Sequence, residues 1–251
     1  MLSKIVTLEV EDLKVAGRLY LPAGKPPHPT VCVCHGIPAK DSDPSDKGYP
    51  LLAEGICREG FAVLFFNFRG TGDSGGNFDI LGWTRDLKAV IDYLCTLPEV
   101  DRSRLSLLGF SAGAAVSVYR VARDRRVSSI ITCACPAEFT FFTEVDDIQS
   151  IIDHFRRIGI IRDRDFPYSA REWLNGFRLI SPIKYVAGIA PRPILLVHGS
   201  KDETVDVSHA YKLYDRAGES KQIIIVDGAG HGLRQDDRAM TIVVDWLKSH
   251  A

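Results

Sequence analysis

The chain has 251 residues, of which 45% are hydrophobic and 25% charged, a composition ordinary for a globular protein with a sizeable core. Its 31 basic and 32 acidic side chains give a formal net charge of -1, which provides no electrostatic footprint for nucleic acid or an anionic membrane surface. No apolar run reaches the roughly 18 residues that span a bilayer. The N-terminal residues alternate like a strand and lack the apolar core of a signal peptide, so we expect a cytoplasmic protein.

Apolar runs of strand length alternate with segments of helical period along the chain. Two alternating runs come first and predict an antiparallel pair of strands, residues 5–10 and 14–21. Six further runs are continuously apolar, which is typical of strands buried on both faces. They lie at 30–34, 62–67, 104–108, 129–135, 193–197 and 222–226. Helices are predicted at 47–59, 84–96 (with Thr84 as the cap), 112–123, 207–217 and 236–249. This order predicts a single α/β domain over residues 1–251, with a mostly parallel sheet of about eight strands flanked by helices.

The connection between the sixth and seventh predicted strands is more than fifty residues long, far above the usual length. It is rich in aromatic residues and contains one amphipathic helix candidate, residues 145–158. We therefore expect residues 136–190 to form a lid or cap insert. The alternative is that its aromatic side chains only pack the insert onto the sheet.

The six cysteines include two pairs within apolar runs, Cys32 with Cys34 and Cys133 with Cys135. Because alternate strand residues share a face, each pair is predicted to point to one side of the sheet and to act as small hydrophobes. Zinc ligands usually come from turns with longer spacers, so no metal is expected. The glycine-rich stretch 67–76 lacks the helix and ribose acid of a dinucleotide site, so it is predicted to be a structural turn and no cofactor is expected.

A Gly-x-Ser-x-Gly run at residues 109–113 follows a predicted strand and precedes a predicted helix. In that context it is typical of a nucleophile elbow with Ser111 at its tip. The glycines leave room where the strand and the helix approach each other. The N–H groups at the start of the helix favour negative charge. Ser111 is therefore the candidate nucleophile.

A serine nucleophile needs a base and an acid, expected in the chain order serine, acid, histidine. His231 lies among glycines directly after the last predicted strand and is the candidate base. Asp202 follows the preceding strand and is the candidate acid that orients the imidazole. Glu203, Asp206 and Asp227 are the nearby alternatives. Of these, Asp206 is better explained by its place near the start of a helix.

The oxyanion formed by serine attack needs preplaced hydrogen-bond donors. One candidate is the backbone N–H of Ala112, the residue after the nucleophile. The second is expected from the loop after residues 30–34, where Pro38 has no N–H and Ile37 is therefore the better candidate. His35 and Gly36 are predicted to shape that turn.

Three aromatic side chains are candidates for a substrate pocket. Phe110 precedes the candidate nucleophile, whereas Phe142 and Trp173 belong to the insert. Aromatic side chains commonly line pockets for apolar ligands. Packing of the insert is the competing explanation for each of them.

With these features in place, the chain resembles the α/β-hydrolase superfamily over nearly its whole length. The resemblance is carried by five ordered segments: 35–36, 68–75, 109–113, 198–202 and 230–231. Within the superfamily it resembles small serine esterases of the cinnamoyl/feruloyl-esterase and dienelactone-hydrolase kinds, and it is also similar to the catalytic domain of prolyl-oligopeptidase-type peptidases. Phe110 and Ala112 depart from the residues common in relatives, and Ser111 replaces the cysteine nucleophile of dienelactone hydrolases.

The residues and the resemblance together predict a cofactor-independent serine hydrolase that cleaves a small carboxylic ester through an acyl-enzyme. A serine exopeptidase or amidase is the alternative within the same chemistry. A non-catalytic binding protein that retains the fold is the alternative from another class. The sequence leaves the acyl group, the alcohol and the oligomeric state open, including a homodimer.

Overall fold

A computed structural model of the chain describes residues 1–38, 48–143 and 147–250. Within these residues the sheet has eight strands in the order β1-β2-β4-β3-β5-β6-β7-β8. The strands are β1 (Leu2–Val10), β2 (Leu13–Leu21), β3 (His28–Cys34), β4 (Ala62–Phe66), β5 (Val100–Phe110), β6 (Ser129–Cys133), β7 (Ile194–Gly199) and β8 (Lys221–Val226). The pairs β1–β2 and β2–β4 are antiparallel and all other pairs are parallel. The predicted mostly parallel sheet with an antiparallel edge is confirmed.

The helices of the described residues alternate with these strands. They are α1 (Gly48–Arg58), α2 (Ile80–Leu94), α3 (Ala112–Val121), α4 (Thr140–Thr143), α5 (Ile148–Arg157), α6 (Ala170–Leu179), α7 (Ser208–Arg216) and α8 (Asp237–His250). Two predicted helices begin at Lys47 and Val145, which lie outside the described residues. No helix within the described ranges has the length and apolar character needed to cross a membrane.

Each face of the sheet has its own hydrophobic core, because successive strand residues point to opposite sides. On one side, Val31 and Val33 of β3 pack in a cluster that includes buried residues of α1 and α8. On the other side, Cys32 and Cys34 pack in a cluster with residues of α2, α3, α5, α6 and α7. The prediction that Cys32 and Cys34 share a face is confirmed.

The corresponding prediction for Cys133 and Cys135 is wrong. Cys133 ends β6 and packs on the α1/α8 side, whereas Cys135 packs on the opposite side. The cause is Ala134 between them, whose φ of 53° turns the chain out of the strand. All six cysteines are free thiols, and burial raises the pKa of the Cys133 and Cys135 thiols. Both behave as buried apolar residues.

Helix α2 begins earlier than the sequence predicts. Its N-cap is Asp79, whose carboxylate accepts hydrogen bonds from the N–H groups of Leu81 (3.1 Å) and Gly82 (2.9 Å). Thr84, the predicted cap, lies inside the helix and its hydroxyl donates to the Leu81 carbonyl at 2.7 Å. A carboxylate satisfies two backbone donors of the helix start and interacts with its positive end, so Asp79 takes the cap position.

The long connection between β6 and β7 contains α4, α5 and α6. Its aromatic rings pack onto the loop before α2: Phe78 lies against Phe155 (4.8 Å between ring centroids) and Phe177 (5.9 Å). Asn77 connects this loop to the insert, because its side-chain oxygen accepts hydrogen bonds from the backbone N–H groups of Arg162 and Asp163, both at 2.8 Å. The insert is thus fastened to the glycine-rich turn after β4.

Candidate active site

Ser111 lies at the junction of β5 and α3, over the carboxyl end of the parallel sheet. It has φ 50° and ψ -123°, a strained conformation that non-glycine residues rarely adopt. The predicted five-residue turn is narrower in the structure, because β5 continues to Phe110 and α3 begins at Ala112. A Cβ on Gly109 would lie 2.5 Å from Cα of Ala114, which explains why glycine is required there. This geometry is that of a nucleophile elbow.

His231 and Asp202 lie beside Ser111 in one continuous hydrogen-bonded chain. Nε2 of His231 is 3.1 Å from Oγ of Ser111, and Nδ1 of His231 is 2.8 Å from Oδ2 of Asp202. With Nδ1–H donated to the carboxylate, Nε2 is left to accept the serine proton. The imidazole side chain is 29% exposed, whereas the Asp202 side chain is 0% exposed. The structure brings together all three residues predicted from the sequence.

Asp202 is held as a carboxylate by several donors at the end of β7. Its Oδ1 accepts from the N–H groups of Thr204 (2.9 Å) and Val205 (2.8 Å). Its Oδ2 faces His231 and also Nε2 of His198, at 3.3 Å. Burial would raise the pKa of the Asp202 carboxyl, but hydrogen bonds from His198, His231 and the Val205 N–H outweigh it and hold that pKa well below its usual range. The group is therefore charged and oriented at neutral pH.

The loops that carry the acid and the histidine are bonded directly to each other. The Lys201 N–H donates to the Ala229 carbonyl at 2.9 Å, and the Gly228 N–H donates to Oγ of Ser200 at 2.8 Å. A Cβ on Gly199 would collide with the carbonyl oxygen of Ala229. These contacts, one between backbone groups and one through the short Ser200 side chain, hold the loops of the two catalytic candidates together.

The loop after β3 runs against the elbow, where the oxyanion donors are predicted. A Cβ on Gly36 would lie 3.0 Å from Cβ of Ser111, and one on Gly113 would lie 2.6 Å from the Cys34 carbonyl oxygen. The first N–H groups of a helix have no intrahelical partner, and the Ser111 side chain does not cap α3. Ile37 follows Gly36 in the loop that contacts Ser111, and Ala112 directly follows Ser111 and opens the helix. Their role as an oxyanion hole stays a prediction.

The structure does not bring the three candidate pocket residues together. Phe110 is buried on the α1/α8 side of the sheet and packs edge-on against Tyr49, at 5.5 Å between ring centroids. Phe142 and Trp173 belong to the core on the opposite side. Trp173 is 6% exposed and donates its indole N–H to the Phe78 carbonyl at 2.9 Å. Packing accounts for Phe110 and Trp173, while Phe142 is half-buried within a group of insert phenylalanines.

Two neighbours of the site were not predicted from the sequence. His198 touches Asp202, and its spacing of four residues before the acid, at the end of a strand, is a signal that could have identified it. Tyr49 places its hydroxyl 3.3 Å from the Gly36 nitrogen, and no local pattern indicates this contact across thirteen residues. Among residues 1–38, 48–143 and 147–250, no three His, Cys, Asp or Glu side chains cluster as a metal site requires.

Comparison with known proteins places this geometry in a family. The model of the prolyl oligopeptidase family matches residues 51–251, well over half of the chain. The chain belongs to the prolyl oligopeptidase family. The uncharacterized protein PA2218 of Pseudomonas aeruginosa is 24% identical to it over 274 aligned residues, covering 87% of this chain and 72% of that protein. The chain spans about half the length of several other curated relatives.

Solved structures confirm the fold. The α/β hydrolase GrgF from Penicillium sp. sh18 superposes with a TM-score of 0.76 at 19% identity, covering 100% of this chain and 99% of that chain. The esterase domain of a Rhodothermus marinus protein superposes with a TM-score of 0.72 at 22% identity, covering 99% of this chain and 97% of that chain. The predicted α/β-hydrolase fold is therefore confirmed. Together with the match to the family model, it confirms the predicted superfamily, and the chain is a member of a family of hydrolases.

Proposed function

We propose that this protein is a serine hydrolase that cleaves carboxylic esters of small molecules through an acyl-enzyme. The single observation that supports this most strongly is the unbroken hydrogen-bonded chain Asp202–His231–Ser111, with the serine held in a strained turn at the carboxyl end of the sheet. Three residues far apart in sequence meet in the geometry that serine activation requires. Maintaining a backbone strain of this kind is expected at a functional site.

The chemistry follows from the positions of these atoms. Oγ of Ser111 attacks the ester carbonyl carbon while its proton passes to Nε2 of His231, and Asp202 stabilises the resulting imidazolium. The N–H groups of Ile37 and Ala112 receive the oxyanion. When the tetrahedral intermediate collapses, the carbon–oxygen bond to the alcohol breaks and His231 gives the proton to the departing oxygen.

Water completes the cycle. His231 removes a proton from a water molecule, which attacks the acyl-enzyme carbonyl, and a second tetrahedral intermediate releases the carboxylic acid. Ser111 recovers its proton from His231. Every proton is exchanged between substrate, water and these two side chains, so the cycle balances without a redox partner.

Peptide or amide cleavage is the second candidate, and membership of the prolyl oligopeptidase family favours it. The same nucleophile and base serve both reactions, because acyl transfer from an amide differs chiefly in its leaving group. A likeness to an esterase domain favours the ester. A purely binding role is disfavoured because Ser111, His231 and Asp202 remain hydrogen-bonded to one another.

Labelling with a fluorophosphonate probe tests the proposal. We expect covalent modification of Ser111, identified by peptide mass spectrometry, and hydrolysis of p-nitrophenyl acyl esters faster than of matched aminoacyl p-nitroanilides. Ser111→Ala should abolish both. Ser117→Ala is the matched control, because Ser117 lies on the same helix and donates its hydroxyl to the Gly113 carbonyl.

An unlabelled Ser111 in folded protein would overturn the hydrolase proposal. Faster turnover of the anilides would replace the ester by the amide as substrate. Loss of labelling in Ser117→Ala at an unchanged melting temperature would contradict the assignment of Ser111 as the nucleophile.

A further inference from the structure

His35 is a buried histidine at the start of the loop after β3, and both of its ring nitrogens are hydrogen-bonded. Nε2 accepts the backbone N–H of Phe68 at 3.1 Å, and Nδ1 lies 2.6 Å from the carbonyl oxygen of Gly36. The backbone N–H of Phe68 can only donate, and the Gly36 carbonyl can only accept. The imidazole therefore carries its proton on Nδ1. Burial lowers the pKa of His35 to about 4, so the ring is neutral at physiological pH.

The acceptor of this hydrogen bond belongs to the peptide group that carries the candidate oxyanion donor, the Ile37 N–H. The Gly36 carbonyl and the Ile37 N–H are part of one planar unit and point in opposite directions. A hydrogen bond that fixes the carbonyl therefore fixes the direction of the N–H. Gly36 also lies close to Ser111, because a Cβ added to Gly36 would be 3.0 Å from Cβ of Ser111. The Gly36–Ile37 peptide, which His35 holds in place, therefore lies beside the candidate nucleophile.

The imidazole is itself held on all sides. It packs edge-on against Phe68 (5.2 Å between ring centroids) and Trp83 (5.3 Å). The hydroxyl of Thr71, which donates to the Phe68 carbonyl at 2.7 Å, lies 3.1 Å from Nε2. His35 is 4% exposed. A ring in such surroundings has one orientation and one tautomer.

We propose that His35 is a positioning residue for the oxyanion hole: its Nδ1–H holds the Gly36–Ile37 peptide so that the Ile37 N–H meets the oxyanion formed on Ser111. This inference rests on the proposed function. The glycine-rich turn after β4 contributes indirectly, because Phe68 sets the tautomer that makes Nδ1 a donor. The role differs from that of His231, since the His35 ring exchanges no proton with the substrate.

Two amide substitutions separate the functions of the two ring nitrogens. His35→Asn places an amide nitrogen near the Nδ1 position and can still donate to Gly36. His35→Gln places its amide nearer the Nε2 position and leaves the Gly36 carbonyl without its donor. Loss of a whole oxyanion donor costs about 100- to 1,000-fold in kcat, so we expect about a 10- to 100-fold loss for the Gln variant and less than about a fivefold loss for the Asn variant. KM for p-nitrophenyl esters should stay within about twofold, because the oxyanion does not exist in the ground state.

A transition-state analogue supplies a readout that a purely structural role would not move. An alkyl trifluoromethyl ketone adds to a serine hydroxyl and presents an oxyanion in the same place. Its Ki should rise in His35→Gln by the factor by which kcat falls, and the melting temperature should distinguish loss of folding. His209→Gln is the matched control, because His209 accepts the Ala137 N–H at 3.0 Å in another part of the fold.

The inference is overturned if His35→Gln keeps the wild-type kcat and Ki, or if both amide variants lose activity equally. If the Gln variant does not fold, the Asn variant decides alone: a loss above about 30-fold in a folded protein contradicts the proposal. Ester turnover that survives Ser111→Ala defeats the proposed function instead. Ser111-dependent turnover together with an unchanged His35→Gln variant defeats only the role of His35.

Discussion

Nε2 of His198 lies 3.3 Å from Oδ2 of Asp202, on the same carboxylate oxygen that faces the candidate catalytic imidazole. The His198 ring is 1% exposed and also donates to the Val205 carbonyl, at 2.8 Å. One buried histidine thus connects the end of β7 to the turn that follows it. The acid is fixed by its surroundings before any substrate binds.

Replacing His198 should therefore weaken catalysis through Asp202. The Val205 carbonyl and Asp202 share the one hydrogen on Nε2 of His198. His198→Ala removes this shared donor, and we expect a loss of about 1–3 kcal/mol in the free energy of unfolding. The kcat for esters should fall about tenfold because the imidazole of His231 is held less firmly. His198→Gln restores a donor near Nε2 and should recover most of both losses. Denaturant melts and steady-state kinetics on both variants provide the measurement, and equal defects in the two would contradict this role.

Asp202→Asn should reduce kcat by about 10,000-fold, since an amide favours the wrong imidazole tautomer. Asp206→Asn is the matched control, because Asp206 is the nearby carboxylate that the sequence left as an alternative and it bonds the Ser208 N–H at 2.9 Å. The control should retain wild-type kcat. If Asp206→Asn were the inactive variant, the assignment of the acid would be wrong.

The lowered pKa of Asp202 has a consequence for stability against pH. Its carboxyl ionises more readily in the folded state than in the unfolded chain, where the pKa is about 3.9. The stabilisation is therefore complete above that value and is lost as the pH falls below it toward the folded pKa. Asp202→Asn should lower the melting temperature at pH 7, and its difference from wild type should shrink between about pH 4 and pH 3. A difference that stays constant over that range would show that the carboxylate contributes no pH-dependent stability.

Gly199→Ala should separate the loops of the acid and the histidine. The added methyl would collide with the Ala229 carbonyl and lie 2.6 Å from that of Gly230. We expect a loss of about 1–3 kcal/mol in stability, together with a fall in kcat. Gly55→Ala is the contrasting control: it lies within α1, its Cβ would meet nothing within 4 Å, and alanine should stabilise the helix by up to about 1 kcal/mol. Thermal melts should show a lower melting temperature for Gly199→Ala and a higher one for Gly55→Ala.

Asn77→Ala should loosen the insert from the turn after β4. The substitution removes two acceptor contacts and the bond from the Asn77 amide to Oδ2 of Asp163, at 2.7 Å. We expect faster hydrogen exchange at the Arg162 and Asp163 amides and a loss of about 1–3 kcal/mol in stability. Asn175 lies on the exposed side of α6, so Asn175→Ala should change neither the hydrogen exchange of these amides nor the stability. Unaltered exchange in the Asn77 variant would show that other contacts fasten the insert.

The sequence predicted those features of the site that depend on chain order and local pattern. Ser111, Asp202 and His231 each follow a strand of the parallel sheet, and strand ends of such a sheet meet at one edge, so their proximity follows from the pattern. The strand boundary at Ala134 could not be predicted, because its left-handed backbone leaves no mark in residue type. The contact of Asn77 with Arg162 joins residues far apart in the chain, and no local preference specifies it.

The aromatic residues show a different kind of limit. Phe110 and Trp173 have the same residue type whether they pack a core or line a pocket, and only their burial in the two cores of the sheet identifies them as core residues. Of the three candidate pocket residues, only Phe142 is half-buried. Composition alone does not identify it.

The strands that flank the insert are themselves hydrogen-bonded neighbours, with Ile130 of β6 paired to Ile194 of β7. The chain thus leaves the sheet and returns to it at adjacent positions, so the two covalent connections of the insert form one narrow base, and Asn77 and Phe78 contact the insert at a second place. Ser111 lies before that base and Asp202 after it. An exchange of the whole insert between family members would therefore change the chain only between two neighbouring strands, and Ser111 and Asp202 both lie outside the exchanged residues.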